Sequence, residues 1–429
     1  MSRKLNKVSY EPQDSELLTY KKSSIQSKYS LCGPYKITVT TPILGGGIKV
    51  QQLDEENPIR SSSIRGQLRF WWRATVGRSY TNAYELKSAE RQIFGDASAP
   101  SSLKIEVEIL NGPITSAKLD NYIFCGDREA AKLTYPNSIQ FKLFLYYDSN
   151  KQLKDELDLA MWAWINFGGL GSRTRRGCGS LHCKEFSPKK SEINDSKQLK
   201  SWFRKKIDEL PFDFKKEIEW PYLVDILYAM PQEEPIRGLR NIISKLKGFR
   251  SQKDGKRSLW PEADTIRYLT KMSPTKHANP QPRDKSKTLV SFPRAQLGLP
   301  IIVHFKSVQD AGGREPGDAT ILPKSKKGEV YTRLASPLIF KTIALSNDNG
   351  DFSHRVVPVI IKLQQPRIYA LELETKRSTR NHIPQQSIYP QYKHYKTDPM
   401  LEKEYIDEAL KLYLESLESQ DQNNNERRS

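Results

Sequence analysis

The stretch from Ile59 to Gly77, IRSSSIRGQLRFWWRATVG, contains four arginines, three serines and two adjacent tryptophans, and its arginines and serines are residue types that bind anions. Read as a helix, at about 100° per residue, it carries an apolar stripe beside a basic one. The basic stripe consists of Arg65, Arg69 and Arg73. Cations at steps of four repel one another unless something anionic lies across them, so we predict that this stripe faces a phosphate backbone.

The serine run marks the start of this helix. A hydroxyl at the N-cap accepts hydrogen bonds from the unpaired N–H groups of the first turn, and a helix N-terminus attracts phosphate. We therefore add Ser62 and Ser63 to the predicted phosphate contacts. The alternative is an amphipathic core helix whose arginines are solvated. At least one of Trp71 and Trp72 is expected in the core, and the other could stack on a base or fill a pocket of another protein.

A second basic segment, FGGLGSRTRRGCGSL from Phe167 to Leu181, carries five glycines and three arginines. Glycine permits positive φ and close backbone approach, and arginine supplies planar charged donors, so the segment is predicted to wrap a phosphodiester backbone. The predicted contacts are Gly168, Gly169, Gly171, Ser172, Arg173, Arg175 and Arg176. The segment lacks the GxxxxGK[ST] and GxGxxG patterns, so nucleotide hydrolysis has no support. The alternative is a flexible basic surface loop.

The composition points to a polyanionic partner. Lysine and arginine number 69 against 50 acidic residues, for a formal charge of +19 and a pI near 9.5, and such an excess indicates nucleic acid or a membrane surface. No apolar run approaches about 18 residues, and no signal peptide or lipidation motif is present. We therefore predict a cytoplasmic protein that binds nucleic acid and no membrane.

Cysteine and histidine usage argues against a metal site. The cysteines form no CxxC pair and the six histidines are scattered, whereas a zinc site needs closely spaced ligands. We expect buried or incidental thiols, no metal and no cofactor. The four cysteines are Cys32, Cys125, Cys178 and Cys183.

Hydrophobic periodicity predicts an α+β fold. Strands are predicted at Tyr35–Ile43, Ser102–Leu110 and Ser138–Tyr147, with a helical region over the arginine stretch that closes at Gly95 and a helix at Leu153–Gly169. With one more strand after the glycine-rich segment, this order suits a ferredoxin-like sandwich, the plan that also underlies RNA-recognition motifs. The aromatic RNP1 signature of those motifs is missing, so base stacking on the sheet is not assumed.

The second half repeats the pattern. A strand is predicted at Trp220–Met230 and a helix at Ile236–Phe249, before a basic, loop-rich insertion over about 251–287. Three apolar runs, LGLPIIVHF, PLIFKTIAL and VVPVIIKL, are expected to resume the sheet, and a final amphipathic helix starts at about Pro399.

The length of 429 residues suits two or three domains, of which we choose two. We predict a flexible N-terminal arm over 1–30 and a disordered tail over 419–429. Between them lie a first ferredoxin-like domain over 31–190 and a second over 191–418, the latter holding the basic insertion.

The pairing of SSSIRGQLRFWWR with a downstream GGLGSRTRRGCGSL resembles the repeat-associated RAMP proteins of CRISPR systems, specifically a RAMP subunit of the type III-B Cmr effector complex. Three later motifs agree in the same order: WPEADTIR at Trp260–Arg267, FPRAQLGLPIIVHF at Phe292–Phe305 and RLASPLIF at Arg333–Phe340. The resemblance covers roughly Tyr35 to Leu363. It implies two ferredoxin-like, RRM-like domains and a place near the 3′ end of the guide crRNA. There the subunit would help capture target RNA for antiviral defence, beside other Cmr subunits in a ribonucleoprotein.

The resemblance implies binding and not catalysis. Some RAMP proteins cut guide precursors with a histidine, and target cleavage in such complexes is assigned to acidic residues of another subunit. Here His182 is expected at a strand start facing solvent or core, His304 in the core, and His277 in the basic insertion without an arguable partner. We therefore predict no enzyme. The alternatives are a metal-independent RAMP endoribonuclease acting through His182 or His277, and a purely architectural subunit.

The later motifs contribute a second predicted set. Arg294, Arg333 and Ser336 are candidates to bind RNA backbone near the sheet, and burial in an ion pair is the alternative for either arginine. Glu262 and Asp264 follow Pro261 at a predicted helix start. We expect them to complement the helix dipole or pair with an arginine, in preference to holding a metal.

Overall fold

The computed structural model describes most of the chain between 29 and 384. The described residues are 29–45, 54, 57–111, 116–118, 132–134, 139–209, 218–250, 253–254, 257–258, 260, 262–274, 292–306, 309–310, 313–366, 368–375 and 380–384. The arm before residue 29, the final helix and the tail therefore lie outside the described residues.

The helices alternate with strands along the chain. The helices are α1 (Ser61–Ala74), α2 (Ala83–Phe94), α3 (Lys154–Phe167), α4 (Ser196–Asp208), α5 (Pro235–Arg250) and α6 (Glu262–Thr270). The strands of the first half are β1 (Tyr29–Val39), β2 (Leu103–Ile109), β3 (Ser116–Lys118), β4 (Lys132–Thr134), β5 (Gln140–Asp148) and β6 (Leu181–Cys183). Those of the second half are β7 (Tyr222–Ala229), β8 (Lys253–Asp254), β9 (Arg257–Ser258), β10 (Ile301–Val303), β11 (Gln309–Asp310), β12 (Gly313–Arg314), β13 (Ala319–Lys324), β14 (Leu338–Ser346), β15 (Phe352–Gln364), β16 (Ala370–Thr375) and β17 (Arg380–Pro384).

The first half forms one four-stranded sheet of order β2-β5-β1-β6, in which every neighbouring pair is antiparallel. Inward-facing residues alternate along β5, where Phe141, Leu143 and Leu145 are buried, as a half-buried strand requires. Helices α1 and α3 pack on each other, α1 also contacts β2 and α3 contacts β6. The predicted α+β class with antiparallel sheets is confirmed.

The edges of the predicted elements shift by a few residues. Strand β1 starts at Tyr29 and ends at Val39, so it takes in the last two residues of the predicted arm, and Tyr29 already pairs with Asp148 of β5. The helical region predicted to run to Gly95 is two helices, because α1 ends at Ala74 and α2 begins at Ala83.

The start of α1 differs from the prediction in its cap. The helix begins at Ser61, but the N-cap position is Arg60, whose side chain makes no capping hydrogen bond. The expected serine cap is therefore wrong, because the serines are already inside the first turn, where their side chains are exposed. The two tryptophans are both buried, at 2% exposure for Trp71 and 0% for Trp72. Neither is left to stack on a base, so that alternative is also wrong.

Two further sheets make up most of the second half. One has the order β14-β15-β7 and the other β10-β13-β16-β17. The apolar runs PLIFKTIAL and VVPVIIKL form β14 and β15 of the first of these, whereas LGLPIIVHF supplies only β10 of the second. The three runs therefore do not resume a single sheet as expected. Helix α5 packs on β14 and β15, and α6 lies within the predicted basic insertion.

The two halves share a hydrophobic core. One buried cluster contains Trp71 of α1 and Trp164 of α3 together with Ile339 and Ile343 of β14 and Val357 of β15. Strand β14 also contacts β6 and the turn at Thr174–Arg176. The glycine-rich segment is therefore held between the two halves of the fold, which fixes the position of its arginines.

Candidate nucleic-acid interface

The three arginines of α1 find partners inside the fold. Arg69 pairs with Glu90 of α2 and donates to the Gly95 carbonyl at 2.8 Å, and the Arg73 Nε lies 3.3 Å from the other oxygen of Glu90. Arg65 donates to Ser101 and, at 2.9 Å, to the Leu103 carbonyl. Burial, and secondarily the charge of Arg69, lowers the pKa of the Arg65 guanidinium.

Glu90 supplies the anion that the arginine spacing demands. Its side chain is 10% exposed, against 32% for Arg69 and 42% for Arg73. A carboxylate of the same chain lies across two of the three arginines. The repulsion between those arginines therefore does not require an external phosphate. Two cations share one anion, so a net positive charge remains at the half-exposed face of Arg69 and Arg73.

The glycine-rich segment is fastened to the chain that follows β1. Ser172 N donates to the Leu44 carbonyl at 2.7 Å, Gly179 N donates to the Pro42 carbonyl at 2.8 Å, and the Thr41 hydroxyl donates to the Gly177 carbonyl at 2.6 Å. The alternative of a flexible surface loop does not fit these bonds.

Its first two glycines serve close packing. Gly168 and Gly169 are buried, and a Cβ on Gly168 would lie 2.4 Å from Trp71 Nε1, while one on Gly169 would lie 2.7 Å from the Gly179 carbonyl oxygen. Such distances exclude any side chain. By contrast, Gly171 and Ser172 are exposed, and they are the part of the segment whose backbone a ligand can reach.

The segment's arginines lie on one short turn. Thr174–Arg176 forms a 3-10 helix that follows Arg173, whose φ of 57° is left-handed. Arg173, Arg175 and Arg176 are all half-buried. Arg175 donates a hydrogen bond to the Ser336 carbonyl, and burial lowers the pKa of its guanidinium. This arginine thus ties the turn to the second half of the chain.

The two basic segments meet at Phe70. The Arg175 guanidinium lies over the Phe70 ring, 5.5 Å from its centroid, and cations are attracted to aromatic faces at such distances. Phe70 itself packs edge-on against Trp71, with ring centroids 5.1 Å apart. The structure therefore brings the glycine-rich turn onto α1, although the side chains of Arg69 and Arg73 are directed to Glu90.

The second predicted arginine set divides. The Arg294 Nε lies 3.0 Å from Glu262, whose side chain is fully buried, and the guanidinium lies over Trp260 at 5.8 Å. For Arg294 the ion-pair alternative holds. Arg333 is exposed, and Ser336 is half-buried. The carboxylates of WPEADTIR act as predicted, since both stand in the first turn of α6 and Asp264 pairs with Arg267 at 2.8 Å.

His182, one of the two histidines considered as a general base, is not accessible to a substrate. His182 lies in β6 with 3% exposure, and its Nε2 is 2.9 Å from the Ser346 hydroxyl. Burial lowers the pKa of His182 to about 4, with Asp351 opposing. His304 was expected in the core, which is wrong: it follows the end of β10, is 75% exposed and faces Asp318 at 3.4 Å. His277 lies outside the described residues.

Three of the four cysteines lie within the described residues. Cys32, Cys178 and Cys183 are buried free thiols, as predicted. Within the described ranges, no group of three or more His, Cys, Asp and Glu side chains is placed to hold a metal ion. No helix in the same part of the chain is long and apolar enough to cross a membrane.

Sequence reasoning missed Lys341. It lies in the centre of β14, fully buried, and its ammonium donates to the Gly168 carbonyl beneath the glycine-rich segment. Its signal in the sequence is a single charge inside the apolar run PLIFKTIAL, which is rare unless the charge has a specific partner.

Part of the chain is similar in sequence to known proteins. Residues 36–182 match the family model of the RAMP superfamily. The chain is 32% identical over 183 residues to the CRISPR system Cmr subunit Cmr1-1 of Pyrococcus furiosus, covering 40% of this chain and 53% of that protein. It is 27% identical over 150 residues to Cmr1-2 of the same organism, covering 28% of this chain and 80% of that protein. The chain thus spans about half the length of Cmr1-1.

Solved structures give matches of lower identity. The crystal structure of apo Cmr1 from Pyrococcus furiosus aligns at 19% identity and a TM-score of 0.41, covering 78% of this chain and 88% of that chain. A chain of the type III-B Cmr-beta complex bound to cognate target RNA aligns at 13% identity and a TM-score of 0.46, covering 79% and 94%. Residues 36–182 therefore match the RAMP superfamily, as their motifs predict, and part of the chain is similar in sequence to the Cmr1 subunits of Pyrococcus furiosus.

Proposed function

We propose that this chain is a non-catalytic RNA-binding subunit of a type III-B Cmr effector complex. In this role it lies at the 3′ end of the guide crRNA, beside other Cmr subunits, and helps capture target RNA in antiviral defence. The observation that carries the proposal is the contact of Arg175 with Phe70, which brings the two basic segments together. The partial homology to Cmr1 subunits and the formal charge of +19 support the choice of partner.

The predicted site residues take two roles in this proposal. Exposed or half-buried residues contact the RNA backbone: Ser62, Ser63, Gly171, Ser172, Arg173, Arg176 and Arg333. The others shape the surface or add positive potential from half-exposed or paired positions: Arg65, Arg69, Arg73, Gly168, Gly169, Arg175 and Arg294. Phosphate contacts position a strand without reading its sequence, and base pairing with the guide supplies specificity.

We also infer two ferredoxin-like domains, with a glycine- and arginine-rich loop. In the first half, the chain order β1, α1 and α2, β2, β5, α3, β6 and the sheet order β2-β5-β1-β6 are typical of the ferredoxin-like plan. For the second half, the support is an antiparallel sheet of β14, β15 and β7 covered by α5. With this inference we propose that the two domains cover 31–190 and 191–418. We also propose a cytoplasmic location, together with the RNA partners.

Salt titration tests the proposal. Affinity of the full chain for a mixed-sequence single-stranded RNA is measured by fluorescence anisotropy at several salt concentrations. If about six phosphates are neutralised, log K falls with log salt with a slope of about −4. The double variant R173A/R176A should weaken binding to all sequences alike and flatten the slope by about 1.4.

The control is Lys205→Ala, because Lys205 is an exposed cation on α4, outside the proposed surface. It should leave both affinity and slope as in the parent chain. Equal slopes for the parent and R173A/R176A would remove the turn from the RNA site, and absence of any RNA binding would overturn the proposed function.

The enzyme alternative depends on His182 or His277, and His277 lies outside the described residues. A general base must reach the proton that it abstracts, and His182 is buried against Ser346. Incubation of the pure chain with repeat RNA and a chelator should therefore leave the RNA intact, and cleavage abolished by His182→Ala would reverse this conclusion. If the chain is purely architectural, crosslinking of the assembled complex should attach the guide and target strands to other subunits and not to this chain.

A further inference from the structure

An exposed aromatic ring stands among cations on the hairpin that follows β13. All residues from Lys326 to Arg333 are exposed. The Tyr331 side chain is 50% exposed, and its hydroxyl donates to Glu329 Oε2 at 3.0 Å. This hydrogen bond to Glu329, two residues earlier, restrains the ring, and half of the residue's surface is open to solvent.

The hairpin backbone that carries Tyr331 is ordered at both ends. Tyr331 N donates to the Pro323 carbonyl at 2.9 Å, and Val330 forms a bridge with Lys324. Further on, Leu334 and Leu299 exchange hydrogen bonds of 3.1 and 2.9 Å. Because the backbone is already fixed, a ligand that binds the ring pays little of the usual cost of ordering a loop.

The hairpin is followed in the chain by the residue that Arg175 contacts. Arg175 of the glycine-rich turn donates to the Ser336 carbonyl, and Ser336 is five residues beyond Tyr331. Five residues span at most about 18 Å, so the ring lies within that distance along the chain from the Arg175 contact. Arg333 is exposed between these two points.

The charge on the hairpin favours RNA over a protein partner. Lys326, Lys327 and Arg333 are exposed, with Glu329 as the acidic residue between them. Lysine is depleted in the cores of protein interfaces, whereas cations beside exposed aromatic rings are the composition of sites for single-stranded nucleic acid. An aromatic ring accepts any base, because every base has a π face.

We propose that Tyr331 is a stacking platform for an unpaired RNA base whose backbone lies along Lys326, Lys327 and Arg333. This inference rests on the proposed function, since it extends the same surface. It adds an element that the arginine and glycine motifs lack: contact with a base, made without reading its identity. The site accepts an unpaired segment of RNA, because a base within a duplex has both faces covered by its neighbours.

Three tyrosine variants of the full chain test the platform. Tyr331→Ala should weaken binding of single-stranded RNA by about 5- to 100-fold while leaving the salt slope unchanged, because tyrosine carries no charge. Tyr331→Phe should stay within about threefold of the parent, since the ring is retained. Tyr84→Ala is the matched control, because Tyr84 is 84% exposed on α2, and it should bind as the parent does.

Charge and stacking are then separated on the same hairpin. The double variant K326Q/K327Q should keep the ring but flatten the salt slope by about 1.4. Thermal unfolding confirms that each variant is folded. If the parent chain binds RNA and Tyr331→Ala binds equally well, the platform is refuted while the proposed function stands. If Tyr331→Ala leaves RNA affinity unchanged but abolishes association with another Cmr subunit, the hairpin is a protein contact. That result would also overturn the platform.

Discussion

Lys341 donates a hydrogen bond from its ammonium to the Gly168 carbonyl, and its side chain is 0% exposed. Strand β14 thus places a charge directly beneath the glycine-rich segment. Burial lowers the pKa of Lys341 to about 7, with Cys178 opposing, and burial raises the pKa of the Cys178 thiol to about 12. The thiol is therefore neutral where the lysine titrates, and a backbone carbonyl is the hydrogen-bond acceptor that the structure gives this ammonium.

The buried ammonium predicts that Lys341→Met stabilises the fold. Removal of an unpaired buried charge regains several kcal/mol of desolvation, whereas the lost hydrogen bond costs about 1.5 to 3 kcal/mol. We expect a net gain of about 1 to 3 kcal/mol in the free energy of unfolding at pH 6, measured with urea. Because the folded pKa lies below the unfolded one, parent stability should rise between pH 7 and 10, and the gain from methionine should shrink there. A gain that is constant with pH would contradict this.

The close approach at Gly168 predicts a large cost for the smallest side chain. A Cβ there would lie 2.4 Å from Trp71 Nε1 and 2.6 Å from Trp164 Cδ1, and both indoles are buried. Gly168→Ala should therefore lower the unfolding free energy by about 3 kcal/mol. Gly66→Ala is the matched control on the exposed face of α1, where no atom lies within 4 Å of the added carbon. It should raise stability by about 0.5 to 1 kcal/mol, and equal effects of the two changes would refute the packing argument.

The sequence predicts elements well and side-chain partners poorly. Alternation over Ser102–Leu110 places β2 within one residue of its observed ends, Leu103 and Ile109, because a half-exposed strand has a local pattern. The partner of Arg69 is Glu90, 21 residues away on another helix, and the pattern of neither helix encodes that contact. The error at His304 has the same origin: the apolar run predicts burial, but the strand ends at Val303 and the imidazole turns to solvent.

The site itself was predictable as two segments and not as one surface. Residue types in the glycine-rich segment indicate an anion-binding loop, but nothing local distinguishes Gly168, which is buried under Trp71, from Gly171, which is exposed. That difference depends on the register between the segment and the chain after β1. Lys341 is similar, since a lone lysine in an apolar run indicates a special environment without naming its acceptor.

The buried His182 predicts a specific loss of stability in acid. Its folded pKa of about 4 lies below the ordinary value of 6.5. The unfolded chain therefore takes up a proton first as pH falls, and stability present above pH 6.5 should be lost progressively toward pH 4, by up to about 3 kcal/mol. The measurement compares urea unfolding of the parent and His182→Gln at pH 7 and 4.5. The variant should lose less stability than the parent, whereas His304→Gln, with its exposed side chain, should lose as much.

The pairing of Arg69 and Arg73 with Glu90 predicts opposite effects of one substitution on folding and on RNA binding. Glu90→Gln removes the anion between two cations, so unfolding free energy should fall by about 1 to 2 kcal/mol. The same change leaves both guanidiniums available to phosphate, so affinity for single-stranded RNA should rise at low salt, with a slope steeper by about 0.7 for each arginine that engages. Glu85→Gln, at an exposed position of the same helix, is the control. A loss of stability with an unchanged slope would assign both arginines to the fold alone.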